Sequence, residues 1–579
     1  MKRTVLNFSC LIWSLGLMAQ ANPPITPYWA LGHIVWEDSL ITQSGTLQLV
    51  DGYLEHKIPV NGVIIDSPWS TAYNDFNWDP DRFSDPNSML LTLWDRGVRP
   101  ILWTTGSVNI TGKDVPVDSC ETFQYVIDHQ YAINDGEVTR WWKGNGVHID
   151  FTNEEAKQWW FTQIDKAFDN MYGLKVDQSE AYYGDPVKTS IGSMPNKDFR
   201  KYYYNAMYDY VTSRNPEGII VARPYSYQAT ETSASIEKMS LGWCGDFQGD
   251  YAGLIKQLKD IYQSAILGYG AVGCEIGGFY GARATKKQLI RYAQFGAMTA
   301  AMINGGGNGA FTNHIPWYHD EECYNAYLKV VNLHTALMPY IFSTLVESNR
   351  YGGTLLQQCD KTSFSHRLGN DVFYKAIVSD EDEISVTLPV DDDWIDFWGG
   401  QRYQGGDVIK RTYPLDESPL FIRSGAIIPV NITNDVLGFG DATMTDRKCF
   451  LIYPKGKSEK VVFIPMSMGT DYAQASISVD EEETTINLNS TNMLDFTFLV
   501  WDAKSKEYRR FDQSGTIINL NYSDNTVGID TNVLIDGESN LVEYYNFNGY
   551  RLNERSGGGI VIERIHSQNG VKSKKVIGK

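Results

Sequence analysis

Six charged or titratable residues stand directly after short apolar runs. They are Asp66 after Gly62–Ile65, Asp177 after Gly173–Val176, Arg223 after Ile219–Ala222, Asp246 after Gly242–Gly245, Glu275 after Gly270–Cys274, and His314 after the run that starts at Gly309. One acidic residue after an apolar run is an ordinary loop residue. Six at six run ends make a set that can supply a proton donor, a nucleophile or base, and cationic donors to steady them. Glycoside hydrolysis needs two carboxylates flanking the scissile bond, one to give a proton and one to attack or to activate water. A dry, aromatic-lined pocket can raise the pKa of the donor while its partner stays ionised. The chain holds 16 Trp, 35 Tyr and 24 Phe, which is 13% of its residues. Flat rings pack on the apolar face of a pyranose, although large cores in β-rich domains account for part of this excess.

The elements that must position these residues alternate. Apolar strand-like runs lie near Tyr28–Trp36, Gly62–Trp69, Arg99–Thr105, Gly173–Asp177, Gly218–Arg223, Met239–Gly245, Tyr269–Glu275 and Gly309–His314. Amphipathic stretches such as Asn153–Asn170, Lys197–Arg214, Tyr251–Ala265 and Lys286–Ala301 fall between them. Eight such units predict an α/β fold, a closed (β/α)8 TIM barrel over residues 22–351. A doubly wound open sheet is the alternative, but no glycine-rich phosphate loop supports it. The long connection at about 106–148 reads as a functional insertion over the site. Beyond Tyr351, short β-branched and aromatic runs broken by Asp, Gly, Asn and Pro predict β-sandwiches, a compact one at 352–432 and a second β-rich domain at 433–540. Residues 541–579 resemble the sorting or attachment tails of some secreted bacterial proteins; a final hairpin with a frayed basic end is the plainer reading.

A net charge of −20 excludes a nucleic-acid partner and favours solubility. Lys2 and Arg3, an apolar stretch to about Met18 and Ala19-Gln20-Ala21 form a signal-peptide pattern over residues 1–21. That pattern predicts a bacterial protein exported to the periplasm, the cell surface or the medium, and the apolar stretch is too short to span a bilayer. The six later cysteines are widely spaced, with neither a small-domain disulfide framework nor a CxxC knuckle. No His-x-His or His-Glu-x-x-His pattern is present, so neither a metal nor a cofactor is predicted.

Four segments occur in the order found in one enzyme family. GLKVDQSE (Gly173–Glu180), WCGDF (Trp243–Phe247), GCEIGGFYG (Gly273–Gly281) and FIRSGAIIP (Phe421–Pro429) resemble glycoside hydrolase family 31, the α-glucosidase, α-xylosidase and α-galactosidase group. The resemblance covers about Tyr28 to Val430. It implies a retaining, exo-acting α-glycosidase with Asp177 as nucleophile and Asp246 as general acid/base. It further implies that Asp66 binds hydroxyls at the non-reducing end, that Arg223 and His314 act as charged donors, and that Trp142, Trp243 and Phe279 wall the pocket. Three departures stand out. Lys175 occupies a position two before the nucleophile where many α-glucosidases carry Trp. Glu275 takes the place of the family's usual Asp. The β-sandwich that normally precedes the barrel is expected to be missing, because few residues separate the cleavage point from the first strand. A pocket holding Asp66, Trp69, Lys175 and Glu275 fits galactose, glucose, xylose or a modified hexose. Lys175 favours galactose, whose axial O4 needs a different wall. The rival reading is a sugar-binding barrel that has lost catalysis, and the retained carboxylate pair argues against it. A metal-dependent amidohydrolase barrel would need His ligands that are missing.

Overall fold

The structure is a computed structural model. It describes residues 22–523 except 39–40, 118–119, 178–181, 227–230, 282, 308–313 and 361, together with the backbone of 541–546, 551–552, 560–567 and 570–577. Residues 1–21, which carry the predicted signal-peptide pattern, lie outside the described residues.

Eight parallel strands form the barrel: β1 (His33–Glu37), β2 (Gly62–Ile65), β3 (Arg99–Thr104), β4 (Gly173–Val176), β5 (Ile219–Ala222), β6 (Leu241–Gly242), β7 (Cys274–Ile276) and β8 (Met302–Gly306). Their hydrogen-bonded order runs from β6 back to β1 and then to β8 and β7. Gly242 N–H donates to Ala271 O (2.8 Å) and Gly273 N–H to Gly242 O (2.9 Å), which closes the ring between β6 and β7. These strands read as continuous apolar runs because both faces are covered, one by helices and one by the barrel interior. The helices carry their own start signals. Thr42 caps α1 (Gln43–Glu55) and Asp85 caps α2 (Pro86–Asp95), which has Pro at its start. Asn153 caps α3 (Glu154–Ile164) and Asp250 caps α5 (Tyr251–Ile266). A capping box of Thr285 and Gln288 opens α6 (Lys286–Ala297). Between β4 and β5, α4 (Asn196–Arg214) packs eight buried side chains onto the barrel.

Two elements differ from the sequence-based expectation. The eighth strand is Met302–Gly306, not Gly309–His314, and residues 309–313 fall outside the described set. Its sequence, MINGG, lacks a β-branched run because neighbouring rings fill the space where side chains would go. A Cβ on Gly305 would stand 2.2 Å from the Trp36 ring, and one on Gly306 would stand 2.2 Å from His314 Nε2. The second difference is α7 (Glu321–Tyr351), a helix of 31 residues for which no element is predicted. It ties the barrel to both β regions. Tyr340 Oη donates to Leu368 O (3.0 Å), and Ser343 Oγ accepts from Phe463 N (2.9 Å).

The insertion that leaves β3 builds a three-stranded antiparallel sheet from Ser107–Gly112, Gly144–His148 and Thr139–Trp141, with a helix at Glu121–Asp128. Beyond α7, a six-stranded sheet faces a two-stranded one (Glu383–Thr387 with Val408–Thr412) around Phe373, Val386, Trp394 and Phe421. Ile427–Val430 then opens a second six-stranded sheet centred on Phe450, Phe496 and Phe498. The backbone of the tail forms a four-stranded antiparallel sheet.

Candidate active site

The polar strand ends converge on the mouth formed by the C-terminal ends of the barrel strands. At the end of β4, Asp177 is fixed from four directions. Its N–H donates to Thr104 O (2.9 Å), and its carbonyl accepts from Tyr203 Oη (2.8 Å). One carboxylate oxygen accepts from Arg223 Nη2 (3.0 Å) and the other from Trp103 Nε1 (3.2 Å). Charge-assisted contacts of this kind hold a carboxylate in one orientation.

Asp246 follows β6 and is only partly exposed. Burial pushes its carboxyl above the ordinary range; Arg223 opposes this, and the nearby charge of Asp177 adds to it. The same Arg223 thus serves both carboxyl groups. Its guanidinium also lies over the Trp243 ring at 4.1 Å.

Two residues before Asp177, and on the same inward face of β4, Lys175 is buried. Its Nζ donates to Asp66 Oδ2 at 2.8 Å and stands over two indole faces, Trp36 at 4.0 Å and Trp243 at 4.5 Å. Burial works against its charge, but Asp66, Glu275 and Asp177 outweigh burial and hold its pKa above the ordinary lysine value. Asp66 is oriented further by the Ser67 N–H at 2.8 Å.

Glu275 is fully enclosed, and neither of its carboxyl oxygens has a hydrogen-bond partner among the described residues. Burial lifts its pKa well above the ordinary carboxylate value. Asp246 and Asp66 reinforce the lift, while Lys175 and Arg223 oppose it. It is the most deeply enclosed carboxyl of the cluster.

His314 does not end a strand. Its Nδ1 donates to Ile276 O (2.9 Å), and its carbonyl accepts from Asn304 Nδ2 (2.9 Å) and Tyr53 Oη (3.3 Å). Burial lowers its pKa to about 4, so it meets the site as a neutral imidazole and not as the charged donor expected from the sequence. Phe279 stacks on Trp36 (5.9 Å between centroids, 18° between planes), and its N–H donates to Phe247 O at 2.7 Å, which joins the loops after β6 and β7. Trp69 is a support rather than a wall. It is buried, donates to Trp103 O (2.8 Å) and packs on Trp78. Trp142 lies on the insertion, half-exposed, against Trp141 and Tyr182. Trp141 in turn packs on Tyr73, which packs on Trp103, so two rings separate Trp142 from the indole that holds Asp177.

Sequence reasoning missed Trp103 and Trp36, which looked like core residues inside apolar runs, and Asp38, which follows β1. The Asp38 carboxyl is pushed up to about 7 by burial and by Asp66, with Lys175 and the insertion's Lys143 pulling the other way. Asp38 sits one residue past the end of β1, the same strand-end signal that singled out Asp66 and Asp177. No three His, Cys, Asp or Glu side chains group as a metal ion would require among the described residues, and no described helix is long and apolar enough to cross a membrane.

Known proteins share this architecture. An α-xylosidase of Emericella nidulans is 24% identical over 440 residues, covering 71% of this chain and 54% of its own. An α-glucosidase of Saccharolobus solfataricus is 25% identical over 485 residues, covering 73% of this chain and 66% of its own. A dextranase of Flavobacterium johnsoniae, solved with glucose, superposes with a TM-score of 0.72 at 18% identity, covering 83% of this chain and 64% of that one. The chain therefore spans about half to two thirds of the length of these relatives. The TIM-barrel domain of glycosyl hydrolase family 31 matches residues 23–344, and the family's C-terminal domain matches 357–428. More than half of the chain lies in the first match alone, and the chain belongs to glycoside hydrolase family 31.

Proposed function

We propose that this protein removes a terminal α-linked glucose or xylose from an oligosaccharide by double displacement with retention. The observation that carries this reading is the unlike treatment of two neighbouring carboxyl groups. Asp177 is an oriented acceptor held by Arg223 and Trp103, while Asp246 is lifted by burial and by the charge of Asp177. Asp177 attacks the anomeric carbon as Asp246 gives its proton to the departing glycosidic oxygen. Asp246 then takes a proton from water, whose oxygen displaces Asp177 from the anomeric carbon, and two inversions restore the configuration. In this reading the buried Asp66–Lys175 pair, backed by Trp36, holds hydroxyls at the non-reducing end of the sugar, and the support for it is the ordered, charged pair beside the carboxyl groups.

Glucose and xylose are preferred because relatives named for them align over about 70% of this chain. Lys175 lends no support to galactose, because its ammonium is already engaged by Asp66 and two indoles. Export through the first 21 residues remains part of the proposal.

A panel of p-nitrophenyl α-glycosides tests the sugar, and Asp177→Asn tests the nucleophile. Turnover of the α-glucoside or α-xyloside should fall by orders of magnitude in the variant, and azide should rescue Asp177→Gly with an inverted product. Near-wild-type turnover by Asp177→Asn would refute the assignment.

A further inference from the structure

The opposite end of the barrel carries a second built cleft. A cavity of ≈590 Å³ opens at the N-terminal ends of β3, β4 and β5, where Met171 and Tyr172 enter β4 and Asn215 leads into β5. That volume falls inside the range of about 300–1,000 Å³ usual for small-ligand pockets. The active-site residues lie at the other ends of the same strands. In a (β/α)8 barrel the N-terminal face serves stability, and nothing in that role calls for an open cleft.

One wall is apolar, and its composition is unusual for a surface helix. In α2 the residues Met89, Leu90 and Leu93 face the core, yet Leu91 and Trp94 lie three apart on an outer stripe at 46% and 49% exposure. The Trp94 ring is not loose. Its Nε1 donates to Tyr172 Oη at 3.0 Å, and Tyr172 is itself fixed beneath the Arg99 guanidinium at 4.7 Å. The facing wall is polar and equally ordered. Arg214 donates to both oxygens of Asp165 (2.9 Å each), and Tyr210 Oη donates to the same carboxylate (2.8 Å). Asn170 and Asn215 complete that wall.

A rigid, exposed indole facing anchored carboxylate, guanidinium and amide groups is complementary to a neutral polyhydroxylated ring, which has an apolar C–H face and a hydroxyl rim. It is not complementary to a lipid chain, which has no use for the polar wall, or to an anionic ligand, which would meet Asp165 and Asp169. We propose that this cleft is a second carbohydrate site that holds a neutral oligosaccharide segment on Trp94, remote from the catalytic mouth. With the glucose reading above, on which the choice of ligand rests, the occupant is an inner stretch of an α-glucan whose end is being trimmed.

Calorimetric titration of the full chain carrying Asp177→Asn with maltoheptaose and with isomaltoheptaose tests this. Two binding events are expected with at least one of these probes, and adding Trp94→Ala should remove the second or weaken it about 10-fold. Trp94→Tyr should retain part of it, and Leu91→Asp on the same stripe should weaken it independently. In the active protein, Trp94→Ala should leave kcat/KM for a p-nitrophenyl α-glycoside unchanged while raising KM for a long soluble α-glucan. One binding event, or two that ignore both substitutions, overturns the proposal. So does a Trp94→Ala change in sedimentation coefficient from dimer to monomer, which would mean that a second copy of the chain occupies the cleft. If no glucoside is hydrolysed but the Trp94-dependent binding persists, the glucose reading falls and the second site stands.

Discussion

Replacing Glu275 by glutamine isolates the most unusual group in the site. Glu275 is buried with no hydrogen-bond partner on either oxygen among the described residues, and burial lifts its pKa well above the ordinary value. An acid whose pKa is higher in the folded than in the unfolded chain takes up a proton on folding. Its contribution to stability is complete below the unfolded pKa and is lost as pH rises toward the folded one. Within that window each extra proton in the native state costs about 1.4 kcal/mol per pH unit. A glutamine side chain at this position would be neutral at every pH and nearly the same shape, so the variant should lose that slope. The replacement brings its own fixed cost, because two amide hydrogens go unsatisfied, about 1–3 kcal/mol that does not vary with pH. Urea unfolding of both proteins at pH 5.5, 6.5 and 7.5 separates the two effects. The stability of Glu275→Gln relative to wild type should improve as pH rises, with a slope of at most about 1.4 kcal/mol per pH unit. A difference that stays constant over the three pH values would refute the raised pKa of Glu275. It would also remove the physical account of how Lys175 and Arg223 share a cluster with so many carboxyl groups.

Lys175→Met leaves Asp66 buried without its cation and should destabilise the fold by about 3–5 kcal/mol, with most of that recovered in Lys175→Met/Asp66→Asn; a double-mutant cycle in urea that shows no coupling would refute the pair. Trp103→Phe removes the indole donor from Asp177 and should lower kcat by about 10–100-fold with little change in KM, the worth of one hydrogen bond to a charged group; a rate within about twofold of wild type would leave Trp103 no role beyond packing. Asp38, pushed up to about 7, gains its negative charge near neutrality and then helps hold the proton on Asp246. Asp38→Asn should therefore move the basic limb of the kcat/KM profile to lower pH, and a shift to higher pH would contradict the coupling.

What the sequence made legible follows from how a barrel is built. Its strands are covered on both faces, so they appear as apolar runs, and a charge at the end of such a run has only the mouth to occupy. Asp66, Asp177, Arg223 and Asp246 stood out for that reason, and Lys175 stood out as a charge inside a run. The eighth strand failed the same test because its constraint comes from other elements. Trp36, His314 and Phe279 arrive from β1 and from the loops after β8 and β7, and Gly305–Gly307 are small because those rings are already there. A glycine stretch read locally suggests a turn, when here it is the negative of three distant side chains. Trp103 and Trp36 failed for the opposite reason. An indole in an apolar run looks like packing, and only strand register shows that one turns its N–H toward Asp177 while the other lies beneath an ammonium. The buried cation explains why the aromatic floor is needed. Lys175 can keep its charge out of water because Asp66 supplies an ion pair, Glu275 and Asp177 add their charge and two indole faces add to these, so removing Trp36 should lower the Lys175 pKa as well as loosen the pocket.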